Sequence, residues 1–318
     1  VSASRRWTLL LVAAVAVAAA AATVRSGYVL GMLNFIALYA MAALGLSLVM
    51  GFAGQVSLGQ AAFYAIGAYV SGILTATYGW NGWTALAAAV AAGGISAFLI
   101  GLPIFRLSGL LLAMASLGFG IIVYYVLVNW SELTGGPSGL TGIPPLRIGG
   151  FRFDSDARML GLTWGGLLLL LGLAGNLMDS RIGRALRAIH GSEAAAEAAG
   201  VPTARFKLAI FAAAGASTAL AGALYAHYLT FINPSPFGFG FSVEILLMVV
   251  LGGVSSLWGS VLGAAAVVLL VEGLRALLPL LTVSRGAAEY EIVLFGLALV
   301  GLMVFAPGGL AGLRWRRA

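Results

Sequence analysis

The sequence predicts an all-α, polytopic membrane protein with about 8–10 membrane segments, some of them broken or re-entrant. Three observations carry that prediction. First, 61% of the 318 residues are hydrophobic and 8% are charged, with a mean hydropathy of +1.05, which leaves too little polar surface to solvate a globular domain of this size. Second, apolar stretches of roughly 18–22 residues, each long enough to cross about 30 Å of hydrocarbon as a helix, recur along the whole chain. Third, runs such as Leu9–Val24 and Gly165–Met178 do not alternate with period two, so a transmembrane barrel is excluded. The chain reads as one transmembrane domain, 1–318.

The expected spans cover 7–24, 28–50, 58–78, 82–102, 109–130, 161–178, 207–231, 240–274 and 288–306, the eighth with a break inside it. Orientation follows from Lys and Arg. With the N-terminus inside, Arg5, Arg6, Arg106, Arg181, Arg184, Arg187, Arg205, Lys207, Arg314, Arg316 and Arg317 share one side, and Arg25, Arg147, Arg152, Arg158, Arg275 and Arg285 fall opposite. Both termini and segment 179–207 are then cytoplasmic and loop 131–160 is external, provided that 240–274 dips in and returns. Residues 1–24 also fit a signal peptide, with Arg5 and Arg6 ahead of an apolar core. Retention as a first helix is preferred, because the parity of the spans then brings 179–207 and the basic C-terminus together. The net charge of +7 is accounted for by this bias and by anionic lipid headgroups, without nucleic acid as a partner.

Several chemistries are excluded by composition. There is no cysteine, so neither disulfide nor thiol chemistry arises, and the two histidines, His190 and His227, have no supporting carboxylate cluster for a metal. Only Glu244 and Glu272 are carboxylates within apolar stretches, a thin basis for ion-coupled transport. No GxxxxGK[ST] loop is present, so if ATP supplies the energy, another subunit binds it. A membrane-embedded enzyme would need clustered acid, base or nucleophilic groups, and the chain has scattered acids and one lysine. A channel would need rings of charge or a carbonyl filter motif, and neither is apparent.

Two glycine clusters interrupt the apolar pattern. One, within 51–60, contains Gly51, Gly54, Gln55, Ser57, Gly59 and Gln60; the other, within 252–264, contains Gly252, Gly253, Ser255, Ser256 and Gly259. Glycine alone is met by close helix packing, whereas unwound backbone lining a cavity offers polar groups to a solute, as in transporters built from internal repeats. The amides of Gln55 and Gln60 tilt the first cluster towards a polar path, with Ser57 beside them and Phe63 placed to accept an apolar side chain. External loop 131–160 is rich in Gly and Pro and carries mixed charge, as a turn-rich solvated loop or a contact surface would.

Segment 179–207 is the charged exception. Arg181, Arg184, Arg187 and His190 alternate at helical spacing with Ile182, Ala185, Leu186 and Ile189. Ser192 then caps a second, Ala-rich helix that starts at Glu193 and stops before Gly200-Val-Pro202. Glu193, Ala196 and Gly200 are expected on one face, able to lie in a groove of a soluble partner; an interfacial helix on the lipid surface is the competing reading.

These residues carry a family resemblance. Glu193–Gly200, with Ala196 and Glu197, resembles the EAA coupling loop of ABC importer permeases. Segments 51–69 and 242–264 resemble the inner-membrane permeases of branched-chain amino acid importers (the LivH/LivM family), in the M-type branch, over about 28–306. Ser255 and Ser260 stand where that family more often has glycine and proline. The resemblance implies a non-enzymatic permease in a bacterial inner membrane. Its partners would be a second, LivH-like permease, two cytoplasmic ATPases carrying ATP and Mg, and a periplasmic substrate-binding protein. This chain would hold no cofactor. Branched-chain amino acids are the implied substrates; urea, short amides, other amino acids and sugars are carried by related importers.

Because the chain lacks cysteine, topology can be read from single-cysteine variants. Ser138→Cys should react with an impermeant maleimide added outside, whereas Ser2→Cys, Ser192→Cys and Ala318→Cys should not; external labelling at Ser192 would invert the orientation.

Overall fold

Backbone groups in hydrocarbon must find partners within their own segment, and the chain meets that demand with helices. The computed structural model describes residues 3–107, 109–281, 296 and 309–312. In chain order these form α1 (Ala3–Thr23), α2 (Gly27–Ser47, extended by a π-helical turn over Leu48–Phe52), α3 (Gln60–Ala76), α4 (Gly82–Ile104), α5 (Leu110–Asn129) and the short α6 (Ser131–Thr134). There follow α7 (Asp156–Asp179), α8 (Arg181–Gly191), α9 (Glu193–Ala198), α10 (Thr203–Leu229), α11 (Phe239–Gly252), α12 (Leu257–Leu281) and a last turn, Gly309–Gly312. Among the described residues six helices are long and apolar enough to cross a membrane, and three shorter apolar helices accompany them. The expected eighth span resolves into two elements, α11 and α12. The span expected over 288–306 lies, but for residue 296, outside the described residues.

Small side chains place α10 at the centre, against α2, α3 and α4. A Cβ added at Gly222 of α10 would lie 1.9 Å from the Tyr64 carbonyl oxygen of α3, and one at Gly67 of α3 would lie 2.1 Å from that of Ala219. On the α4 side, Gly93 and Gly215 face each other's backbones at 2.9 and 2.8 Å from such an atom. These distances allow no side chain, so the helices meet backbone to backbone, the usual way to bring membrane helices together where lipid supplies no hydrophobic drive. By contrast, α4 and α5 leave Ile95, Phe98, Leu99, Leu110, Leu111 and Ile122 exposed, an outer surface suited to lipid or to another apolar protein face.

Helix α7 starts at Asp156, five residues before the expected span. The reason is polar: Asn34 of α2, fully buried, donates Nδ2 to the Asp156 carbonyl oxygen at 3.0 Å and accepts from Thr163 Oγ1 at 2.8 Å. Tyr228 Oη donates to Asp156 Oδ1 at 2.7 Å, so α2, α7 and α10 are joined at one end of the bundle. The 131–155 connection is ordered on that same end by two small antiparallel pairs, β1 (Leu140–Thr141) with β4 (Phe231–Ile232) and β2 (Arg147–Ile148) with β3 (Phe151–Arg152). Its Pro144 carbonyl oxygen lies 2.8 Å from His227 Nδ1, while His227 Nε2 lies 2.8 Å from Ser71 Oγ, which occupies both ring nitrogens of a buried histidine. Segment α8–α9 lies at the opposite end.

The α3–α10 crossing is the most demanding contact. Gly222→Leu should overfill it by about 1–3 kcal/mol or more and lower the thermal midpoint in detergent. Gly165→Leu, where an added Cβ meets nothing within 4 Å, should leave it unchanged.

Candidate functional site

The two glycine clusters, distant in sequence, are brought into contact. Gly51 abuts the turn between α11 and α12: an added Cβ would lie 1.9 Å from the Val254 carbonyl oxygen, to which Ser47 Oγ donates at 3.0 Å. Ser255 Oγ reaches the Gly51 carbonyl oxygen at 3.5 Å. Helices α11 and α12 form a tight hairpin, because Gly252, Gly259 and Gly263 carry no side chain: a Cβ at Gly252 would lie 1.8 Å from the Gly259 carbonyl oxygen and one at Gly263 1.7 Å from that of Met248. Gly253, at φ +111°, makes the reversal that an L-residue would resist. Fourteen residues of helix reach only about 21 Å, so α11 is too short to cross a membrane by itself, and the chain reverses at Gly253 into the longer α12.

The irregular backbone between α2 and α3 is exposed at Gly54 and Val56 but otherwise packed within the protein, and two of the donors at its end are met by serines of other helices. Leu58 N donates to Ser116 Oγ at 2.9 Å and Ala61 N to Ser242 Oγ at 3.1 Å, which ties the break to α5 and α11. Gly59 lies against Ser116, an added Cβ meeting its carbonyl oxygen at 2.8 Å, and Gly54 lies against His190 of α8. Non-helical backbone at this depth is tolerated where protein surrounds it.

The residues expected along a polar path are set out as follows. Ser57, Gln60 and Phe63 are fully buried, and Gln55 is partly exposed, its Nε2 3.3 Å from the Ala53 carbonyl oxygen. Gln60 Oε1 accepts from Thr218 Oγ1 of α10 at 2.8 Å, while its Nε2 is buried with no partner among the described residues. Phe63 packs against Phe119 and Phe211 at ring-centroid distances of 5.6 and 5.5 Å.

The charged segment forms the expected helix pair. Ser180 caps α8 by accepting from Ile182 N at 3.1 Å, and Ser192 caps α9 by accepting from Ala195 N at 3.3 Å. α9 ends in a Schellman motif: Gly200 N donates to the Glu197 carbonyl oxygen at 2.8 Å and Val201 N to that of Ala196 at 3.0 Å, with Gly200 at φ +82°. Glu197 is further held by Thr203 Oγ1 at 2.6 Å. Where the sequence suggested that Glu193, Ala196 and Gly200 share an outer face, Ala196 is turned inward and buried and Glu193 pairs with Lys207 of α10. The exposed residues of this turn are Ala194, Ala195, Glu197, Ala198, Ala199 and Gly200. That pairing escaped sequence reasoning. Its one available signal was the chain's single lysine, buried at the start of an apolar helix.

Among the described residues no group of three His, Cys, Asp or Glu could hold a metal ion. A bundle of apolar helices with a tight helical hairpin, a helix break packed against it and an exposed helix pair at one end is the architecture of a membrane permease subunit. The family described as branched-chain amino acid transport system, permease component, matches residues 28–303, and the chain belongs to it. It is 35% identical over 296 residues to the high-affinity branched-chain amino acid transport system permease protein LivM of Salmonella typhimurium, a match covering 86% of this chain and 67% of that protein; the Escherichia coli LivM gives the same figures. Similarity extends to LivH of S. typhimurium, 28% identical over 86% of this chain and 91% of that one, and to the autoinducer 2 import permease LsrC of Yersinia pseudotuberculosis, 32% identical over 45% and 40%. No solved structure matches.

Removing the ammonium tests the tether between α9 and α10. Lys207→Met should loosen α9 by about 1–2 kcal/mol, so that a cysteine placed at the buried Ala196 is labelled about 5–30-fold faster; an unchanged rate would leave the pair without a holding role.

Proposed function

We propose that this chain is the membrane-spanning subunit of an ATP-driven importer for branched-chain or related amino acids in a bacterial inner membrane. In that assembly it is paired with a second permease, two cytoplasmic ATPases and a periplasmic binding protein. One observation carries the reading within the chain: the small-residue face of α9 is exposed beside the exposed Arg181, Arg184 and Arg187 of α8, yet the segment behind it is paired with Lys207 of α10 and lies with His190 against Gly54 of the first helix break. A segment fixed on one side and small-residued on the other can transmit a push from a docked ATPase to the bundle as a rigid body. Glu193 and Ala196 act as the inner side of this coupling element, and Glu197 and Gly200 shape its end. The same reading places α8–α9 and both termini in the cytoplasm and the 131–160 loop in the periplasm, and pairs the apolar surfaces of α4 and α5 with lipid and the second permease. The amino acid substrate rests on the names of the LivM and LivH relatives; the LsrC relative supports a wider solute range within the family.

In this conformation the path is closed. Gln55, Ser57, Gln60 and Phe63 line it when α3 and α10 separate, and the Gln60 amide, whose Nε2 has no partner among the described residues, is then free to bond a polar solute.

Uptake into vesicles bearing the assembled importer tests both parts. Gly200→Leu forces a branched residue into left-handed backbone at about 1–2 kcal/mol, and it adds bulk where this chain leaves open space; uptake should fall sharply while membrane insertion persists. Gly200→Asn, which tolerates that backbone, should fall less. Gln60→Leu should slow uptake while basal ATP hydrolysis holds. Wild-type uptake by Gly200→Leu with its ATPases bound would defeat the docking reading, and wild-type uptake by Gln60→Leu would assign that glutamine to helix packing alone.

A further inference from the structure

A cavity of about 810 Å³ lies at the end of the bundle that carries the 131–155 and 230–238 connections, bordered by α2, α11 and α12. Its size is within the roughly 300–1,000 Å³ of small-molecule sites. Two kinds of wall face each other in it. One is a continuous aromatic surface: Phe35 meets Tyr39 and Tyr228, each with ring centroids 5.8 Å apart, and Tyr39 meets Phe241 at 5.5 Å. The other is acidic: among the described residues Asp156, Glu244 and Glu272 stand against the guanidinium of Arg275, three carboxylates to one cation.

The carboxylates differ in their partners. Asp156 accepts from Tyr228 Oη at 2.7 Å, and Glu272 accepts from Tyr28 Oη at 2.5 Å and from Arg275 at 3.2 Å. Glu244, partly buried on α11, accepts no hydrogen bond from any described residue, and the Tyr39 hydroxyl likewise bonds to none. Among the described residues Arg275 is the one cation whose charge acts on Glu244, and that guanidinium is already bonded to Glu272, so two carboxylates share it; a carboxylate so placed in an apolar helix is costly unless a further cation is supplied. The acids do not converge closely enough for a metal ion among the described residues, and aromatic faces attract a diffuse organic cation through their quadrupoles. Met248, Val267 and Val271 at the cavity wall offer an apolar surface for a hydrocarbon tail.

We propose that this cavity binds an organic ammonium ion bearing a short apolar chain, its charged end held by Glu244 and the faces of Phe35, Tyr39 and Phe241. The site belongs to this chain alone and does not rest on the import reading. The same ammonium chemistry is offered by a free amine or by an aminolipid headgroup.

Calorimetry on the full chain in phosphatidylglycerol nanodiscs, free of amino lipid, tests it with pentylamine, 1-pentanol and pentanoate. The amine should bind at least roughly tenfold more tightly than the other two, a difference of about 1.4 kcal/mol. Glu244→Gln and Tyr39→Leu should each weaken the amine by a similar factor, and Glu132→Gln, exposed and outside the cavity, should not. With phosphatidylethanolamine added to the discs, competition against pentylamine would identify the lipid headgroup as the occupant, and its absence the free amine. Equal binding of amine and alcohol by the unmodified chain overturns the proposal without reliance on any variant, as does an unchanged amine affinity in folded Glu244→Gln.

Discussion

Backbone-to-backbone approach along α10 is the constraint on which the rest of this structure depends. In lipid an apolar surface gains nothing by leaving hydrocarbon for another apolar surface, so helices hold together by dispersion contact and by hydrogen bonds, and both fall off steeply with distance. Gly67, Gly93, Gly215 and Gly222 remove the side chains that would keep α3, α4 and α10 apart. Once they meet, Gln60 can reach Thr218, and Tyr64 with Tyr225, Tyr64 with Phe241 and Tyr225 with Phe237 can pack edge to face around the same crossing. The polar clamp of Asn34, Thr163, Asp156 and Tyr228 closes one end of this arrangement.

The two helix breaks belong to one physical unit. Each has backbone that cannot be satisfied within a continuous helix, and each is supplied by serines from another element: Ser116 and Ser242 serve the first, Ser47 the second. A rearrangement that shifts α11 or α5 must therefore act on the backbone between α2 and α3. Gly54 extends the connection to His190 and so to α8, which places the charged helix pair two contacts from the α11–α12 turn. This chain of contacts gives the coupling proposed for the α8–α9 segment a material route into the bundle.

Electrostatics adds a second asymmetry. The bundle has a single buried lysine, Lys207, and it is spent on holding α9 through Glu193, with Phe105 offering a ring face 5.8 Å from its ammonium. The acids at the other end are gathered around an open cavity instead. One end of the molecule thus uses its charges to fix structure, and the other leaves Glu244 to share the guanidinium of Arg275 with Glu272.

The sequence by itself determined the class, nearly every helix and both ends of the charged segment, because these depend on local properties. Hydrocarbon thickness sets the length of an apolar run, Ser192 caps the residues directly after it, and Gly200 ends a helix through its own backbone freedom. It also singled out Gln60, Gly51 and Gly252 as unusual, since an amide or a glycine cluster in an apolar run is visible without any partner. What each of them touches was decided only by tertiary structure. The meeting of Gly51 with Val254, the burial of Phe63 between Phe119 and Phe211, the inward turn of Ala196 and the Lys207–Glu193 pair all join residues on different elements. Helical periodicity reports that a residue lies on a face; which neighbour covers that face depends on how closely the backbones approach, and that distance is set by pairs of small residues far apart in the chain.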